Sequence, residues 1–358
     1  MPTATTRLAR LRRLAGRDLD ALLLTHLPHL LYLVGFRGSS GVLAATRRSA
    51  VFFAPALYRL QARQEVVGAQ VQLAAGDPLR AAALWLRRQR PARVAYEAEH
   101  LTVAQLEHLR SLLGGAAELV PAGKWVACLR AVKETGEVAR IREALELTAR
   151  VFTEVLPHVR PGVRELDLAA EIDYRMKLHG ASGPAFETIV ASGPRAALPH
   201  GRASRKPLAK NELVIFDLGA ILADYRGDMT RTVYLGTPSA RVKRSYGAVQ
   251  DALARARDTV RAGVPLARVD AAARRCLARR GLGEYFVHGT GHGLGLEVHE
   301  EPRVVRNGEG RLREGNVITL EPGVYLPGWG GIRIEDVVVV RRRGAELLTP
   351  LSTELICL

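Results

Sequence analysis

Cysteine is scarce in this chain, long apolar runs are missing, and no aromatic clusters accompany its many cations. The three cysteines, Cys128, Cys276 and Cys357, lie far apart and form no CxxC pair. That gives no hint of a disulfide framework or a zinc knuckle and suits reduced thiols in a cytosolic protein. The first apolar segment, residues 21–36, is interrupted by His26, Pro28 and His29. A transmembrane helix is therefore excluded there, and Met1-Pro2-Thr3-Ala4-Thr5-Thr6-Arg7 lacks the apolar stretch of a signal peptide. The expected location is the cytoplasm, with no membrane partner.

The formal charge of +16 is mostly arginine and is spread along the chain. Its densest clusters, Arg10-Arg12-Arg13, Arg274-Arg275 with Arg279-Arg280, and Arg341-Arg342-Arg343, have no RNP-type, zinc-finger or base-stacking pattern beside them. Specific nucleic-acid binding is not expected. Weak attraction to polyanions is.

With 358 residues, the chain can build one large domain or two ordinary ones around ample cores. In the first part, short apolar runs at 21–24, 41–44, 49–53, 71–73 and 93–96 alternate with helical patterns at 58–67 and 79–90. This reads as an α/β unit without a catalytic motif. Pro121-Ala122-Gly123 marks a boundary, giving expected domains 1–122 and 123–358. Beyond it, helices are expected at 134–159 and 165–178, with Pro161-Gly162 between them, then strands at 187–191, 213–218 and 230–235. A second helical pair follows at 245–262 and 266–280, and strands return at 317–320 and 332–340. Helices then strands, twice over, imply a duplicated α+β half-domain with a site between the halves.

Five residues of this second part carry the chemistry. Asp217 ends the apolar run Val214-Ile215-Phe216, and Asp228 follows after a turn containing Gly227, just before Thr230-Arg231-Thr232. Glu321 follows Val317-Ile318-Thr319-Leu320, and Glu335 interrupts Ile332-Arg333-Ile334 and Val337-Val338. Carboxylates embedded in such runs would be buried, where an unpaired charge is costly. A bound cation would offset that cost. His288, His292 and His299 are spaced across Gly289, Gly291, Gly293 and Gly295, glycines that allow close backbone approach or positive φ. Four glycines also rule out a helix of the HExxH kind. Glu300 and Glu301 read as structural or rim residues. Four carboxylates and one imidazole form a hard set that favours manganese. Two cations about 3.5–4 Å apart could share carboxylates and hold a hydroxide between them, as nucleophile and Lewis acid.

The strings FDLGA, GDMTRT, HGTGHGLGLEVHEEP, TLEPGVY and GIRIEDVVVV resemble those of the pita-bread metallopeptidases, specifically the Xaa-Pro peptidases aminopeptidase P and prolidase. Tyr32-Leu33-Val34-Gly35-Phe36-Arg37-Gly38-Ser39-Ser40-Gly41 resembles their creatinase-like N-terminal domain. The resemblance implies a pita-bread catalytic domain of α+β class, a smaller α/β creatinase-like domain, two divalent ions (Mn2+, with Co2+ or Zn2+ as alternatives) and a homodimer. Residue by residue, it implies Asp217 on one ion, His292 and Glu321 on the other, and Asp228 and Glu335 bridging. Glu321 would also be the general base. His200, His288 and His299 would contact substrate, with His299 stabilising the tetrahedral intermediate, and Arg333 would orient a bridging carboxylate. Arg303 matches an arginine that in some prolidases holds a dipeptide's carboxylate, a task suited to a guanidinium. His29 stands where many relatives carry asparagine. Proline-containing peptides or dipeptides are the implied substrates, with aminopeptidase P slightly favoured. Methionine aminopeptidases place their two glutamates farther apart, creatinase lacks the ligands, and non-catalytic pita-bread binding modules usually lose them.

Overall fold

The computed structural model describes residues 4–16 and 19–358; the expected absence of a leader over residues 1–7 thus falls partly outside the described residues. The chain divides into two compact units, 1–130 and 131–358. This division lies beyond the Pro121-Ala122-Gly123 boundary because a short helix, Trp125–Ala131, follows the turn and buries Val126 and Leu129. The Pro-Gly signal marks a turn at the end of a strand, and the compact unit continues past it.

The first unit holds a six-stranded mixed sheet. Its strands are β1 (Ala21–Leu24), β2 (Val42–Thr46), β3 (Ala50–Pro55), β4 (Gln70–Ala74), β5 (Arg93–Tyr96) and β6 (Glu118–Pro121), in the order β4-β3-β2-β1-β5-β6. β1–β2 and β2–β3 are antiparallel, whereas β3–β4, β1–β5 and β5–β6 are parallel. Helices α1 (Ala4–Ala15), α2 (Leu27–Val34), α3 (Arg59–Glu65), α4 (Pro78–Gln89), α5 (Val103–Leu113) and α6 (Trp125–Ala131) complete it. Leu23, Phe53, Leu86 and Leu109 share one core, each fully buried side chain of this size contributing about 1.5–3 kcal/mol. Thr102 and Gln105 form a capping box that starts α5.

The second unit repeats a helix pair and strands. Helices α7 (Thr135–Val155) and α8 (Glu165–Leu178) precede β7 (Gly183–Pro184), β8 (Ile189–Ser192), β9 (Glu212–Leu218), β10 (Ala220–Leu222), β11 (Tyr225–Arg226) and β12 (Met229–Leu235). Then α9 (Ala240–Thr259) and α10 (Leu266–Arg279) precede β13 (Gly291–Gly293), β14 (Glu300–Val304), β15 (Val317–Leu320), β16 (Gly323–Leu326), β17 (Gly330–Arg333), β18 (Asp336–Arg341), β19 (Gly344–Leu347) and β20 (Ile356–Cys357). The main sheets run β20-β12-β9-β8 and β14-β13-β15-β18-β19, with smaller sheets β11-β10-β7 and β16-β17.

Strand alternation sets the layering. In β9, Val214, Phe216 and Leu218 join the core under α7 and α8, while Asp217 points to the other face. In β15, Ile318 and Leu320 join the core under α9 and α10, which puts Thr319 and the following Glu321 on the opposite face. The two halves therefore offer their polar faces to one another. The single strand expected at 332–340 is in fact two, β17 and β18, in different sheets, with Ile334 and Glu335 in the break. Glu335 N–H donates to Thr230 O, 3.1 Å, so the break is stitched to the opposing sheet.

The glycines at 289, 291, 293 and 295 have no positive φ. What they allow is close approach of neighbouring protein backbone: a Cβ on Gly291 would lie 1.9 Å from Thr319 O, and one on Gly293 2.2 Å from Glu301 O. Gly291→Ala is therefore expected to lose at least about 1–3 kcal/mol by overpacking. Urea denaturation measures this, and unchanged stability would show that the strands part without cost.

Candidate metal centre

All ten site residues expected from the sequence line one cavity of about 560 Å3: His200, Asp217, Asp228, His288, His292, His299, Arg303, Glu321, Arg333 and Glu335. Their depth differs. Asp228, His292, Arg333 and Glu335 are buried, while His200, His299 and Arg303 stand exposed at the mouth. Asp217 and Glu321 are in between, their side chains 13% and 20% exposed.

β9 and β12 are paired so that Asp217 lies opposite Thr230. Thr230 Oγ1 donates to Glu335 Oε2, 2.8 Å, which ties the carboxylate in the strand break to the opposite half. His292 occupies an irregularity in the β13–β14 pairing, where Gly291 faces Val304 but Gly293 faces Glu300. Its backbone N–H donates to Thr319 Oγ1, and its Nδ1 lies 3.1 Å from Gly293 O. With Nδ1–H bonded there, Nε2 turns its lone pair to Asp228 Oδ2 and Glu321 Oε1, 3.7 and 3.5 Å away. Ligand atoms of Asp228, His292 and Glu335 all lie within 4.8 Å of one another.

Arg333 joins the parts of this site, and the carboxylate it holds is Asp217, not one of the pair Asp228 and Glu335 that the resemblance implies as bridging. Its guanidinium donates to Asp217 Oδ2 (2.7 Å), Thr230 Oγ1 (3.1 Å), Tyr325 Oη (2.7 Å) and Pro199 O (2.9 Å), the last beside His200. His288 Nε2 lies 2.8 Å from Tyr325 Oη, so the phenol links the arginine to the imidazole.

The donor set asks for a cation. Asp217 Oδ1 is buried with no hydrogen-bond partner. Burial, then repulsion from Glu335, Asp217 and Glu321, holds Asp228 well above the usual carboxylate range. Burial and the charges of Glu321 and Asp217 do the same to Glu335. Burial pushes Glu321 up to about 7, against the pull of Arg333. Burial also lowers His292 to about 3 and His288 to about 4, so both are neutral near pH 7. Buried oxygens with mutual repulsion, an orphaned acceptor and one neutral imidazole fit a hard divalent ion.

Some lining residues were not anticipated. Phe186, Ile189, Val298 and Val305 give the cavity an apolar wall, and nothing in their local alternation separates them from ordinary core positions. Tyr325 lies in the TLEPGVY string, yet its hydrogen bonds could not be read from it. Glu300 is a buried structural residue, paired with Lys133 Nζ at 3.0 Å.

Residues 139–342 match the model of metallopeptidase family M24, and residues 7–132 match the creatinase/prolidase N-terminal domain. The chain belongs to metallopeptidase family M24. It is 43% identical over 228 residues to an Xaa-Pro dipeptidase of Pyrococcus horikoshii, covering 64% of this chain and 65% of that one. Among solved structures, an Xaa-Pro dipeptidase from Bacillus anthracis superposes with TM-score 0.96 at 34% identity, covering 99% of this chain and 100% of the other. An X-Pro aminopeptidase from Thermotoga maritima gives 0.90 at 35%, covering 98% and 100%. The two-domain α+β architecture, with a creatinase-like domain followed in sequence by a pita-bread M24 domain, follows. So does the enzyme class, a metallopeptidase.

Ion-free protein should show the electrostatic conflict directly. The raised carboxylates keep protons that the unfolded chain releases above about 4, so they stabilise at low pH and lose that contribution as pH rises toward their folded values. His288 and His292 act oppositely, gaining stability up to about pH 6.5, their unfolded value. Above about 6.5 only the carboxylates still count. Stability of chelator-treated protein should therefore fall from about pH 6.5 to 8, and Mn2+ should abolish the fall. Urea midpoints measure it; a flat or rising ion-free profile would contradict the proposed conflict.

Proposed function

We propose that this metallopeptidase is a dinuclear-metal Xaa-Pro peptidase that hydrolyses the bond between an N-terminal residue and a penultimate proline. The observation that carries the reading is the convergence of four carboxylates and one neutral imidazole at the floor of a cavity with an apolar wall. Asp217, Asp228, His292, Glu321 and Glu335 would hold two divalent ions, most naturally Mn2+ on so oxygen-rich a set, with Asp228 and Glu335 shared and Arg333 fixing Asp217. Such a pair, when bound, supplies an activated water at neutral pH and a Lewis acid for the scissile carbonyl.

The chain's own residues divide the remaining work. Glu321, more open than Asp217 or Asp228, is placed to take a proton from the attacking water and return it to the departing nitrogen. That transfer lets the nitrogen leave as a neutral amine and not as an amide anion. His299, beside His292 with ring centroids 4.3 Å apart, would donate to the oxygen that gains charge at the tetrahedral carbon. Burial and the Arg303 charge lower its pKa, so it would donate from the neutral ring. His200 and His288 would contact the peptide, and Phe186, Ile189, Val298 and Val305 offer a proline ring an apolar surface.

Arg303 at the mouth favours a second reading, in which a dipeptide's carboxylate is gripped there and longer peptides are excluded. Among its matches, a dipeptidase and an aminopeptidase superpose on the chain similarly well. We assign the aminopeptidase type, with dipeptides also cleaved. The three free cysteines fit a cytoplasmic setting, and a homodimer is the proposed assembly.

Manganese-loaded protein given Xaa-Pro and Xaa-Pro-Xaa substrates decides the type. Cleavage of both, or mainly the longer one, is expected; cleavage of the dipeptide alone makes it a dipeptidase, and no cleavage with any divalent ion would overturn the Xaa-Pro reading. Glu321→Gln should lower kcat by about 10²–10⁴. Arg303→Ala should raise KM for the dipeptide while sparing the longer peptide, and equal effects on both would remove Arg303 from carboxylate binding.

A further inference from the structure

In the first unit, β1 and β5 lie side by side and parallel, so their C-terminal ends bring two segments together. After β1 comes His26, the residue that caps α2, with His29 in the helix's first turn. After β5 comes Glu97, followed by a turn ending at His100, whose N–H donates to Glu97 O, 3.1 Å. The three imidazoles meet. His26 and His100 stack at 3.6 Å, and His29 sets its edge to both, with centroids at 4.7 and 5.5 Å.

Glu97 organises the group. Its Oε2 accepts from the N–H groups of Thr25 and His26, at 2.6 and 2.8 Å, and its Oε1 makes a short bond to His29 Nδ1. His29 faces this carboxylate through its Nδ1. Its Nδ1–H is thereby committed to Glu97 and its Nε2 carries the lone pair. A carboxylate holding the far nitrogen of an imidazole is how proteins orient histidine toward a metal.

We infer that His26, His29 and His100 form a second, separate metal site in the N-terminal unit, taking a borderline divalent ion such as Zn2+ through three imidazole nitrogens. One ligand nitrogen from each ring already lies within 4.8 Å of the others. Tetrahedral coordination at about 2.0–2.1 Å needs them about 3.3 Å apart. The stacked pair must tilt so that its lone pairs converge, and the exposed His100 turn is the element placed to move. A fourth position would go to water or an external ligand. Imidazole nitrogens suit Zn, Cu or Ni, in contrast to the oxygen-rich centre of the second unit. Arg130 brings a positive charge near His29, which the Glu97 carboxylate offsets.

The test is zinc stoichiometry and cobalt spectroscopy on the full chain after chelation. Dialysed against Zn2+, the parent should retain one equivalent more than His100→Gln, and Glu97→Gln should bind that equivalent about 10–100-fold more weakly. Co2+ at a four-coordinate imidazole site should give strong visible bands that His100→Gln loses and Asp228→Asn keeps. Thermal melts verify folding, and His26→Gln replaces His100→Gln if the latter melts early. Equal zinc content and equal cobalt spectra in the parent and the histidine variants would overturn the site and leave the rings as a stacked cluster only.

Discussion

The second unit is arranged around one electrostatic conflict: four carboxylates are brought together at a largely buried site. Two of them, Asp228 and Glu335, are almost wholly enclosed, and Glu321 and Asp217 face them. Isolated, such a group would be among the most costly features a fold can contain. Arg333 meets part of it through Asp217, and hydroxyl donation from Thr230 meets another part. The remainder is a standing demand for positive charge. The same burial that raises the carboxylates keeps His292 neutral, the state in which an imidazole can act as a ligand.

The fold tolerates this because the conflict lies between two cores. One forms under α7 and α8, the other under α9 and α10, and the polar faces meet between them. Strand alternation then does the sorting. Phe216 goes one way and Asp217 the other; Leu320 packs inward while Thr319 and Glu321 turn to the cleft. Irregularities supply what alternation cannot. The break between β17 and β18 turns Glu335 inward, and the register shift in β13 does so for His292.

This division explains what the sequence could show. Asp217 and Glu321 end apolar runs, so the period-two pattern places them on one face without any coordinates. The pairs of helices, and hence the duplicated half-domain, follow from spacing alone. Glu335 was harder: Ile332 to Val340 has the composition of one strand, and only backbone hydrogen bonding to Thr230 explains why it is two. The glycines around His292 signalled an unusual backbone, but whether they relieve φ or a close contact depends on what lies opposite. Thr319 O, the atom a Cβ on Gly291 would meet, belongs to another strand, and nothing in the local string names it. Phe186 and Val298 were invisible for the same reason, being ordinary apolar residues until two halves bring them to one wall. His26, His29 and His100 show the limit most clearly, since two of them break an apolar run while the third comes from another strand's end.

Ligand type, finally, sets how the two units differ. Affinity for first-row divalent ions generally rises from manganese to copper and falls again at zinc, so selectivity must come from donor type, geometry and supply. A cluster with four carboxylates and one imidazole makes the least of nitrogen's preference for zinc and the most of charge. It can therefore work with a weakly held hard ion, provided the charge is needed. Here it is needed, because without it the carboxylates must hold protons near neutral pH, and a protonated Glu321 cannot accept one from water. The demand that makes the ion-free carboxylates costly is thus the same one that would set the proposed base, Glu321, in its working state once an ion is bound.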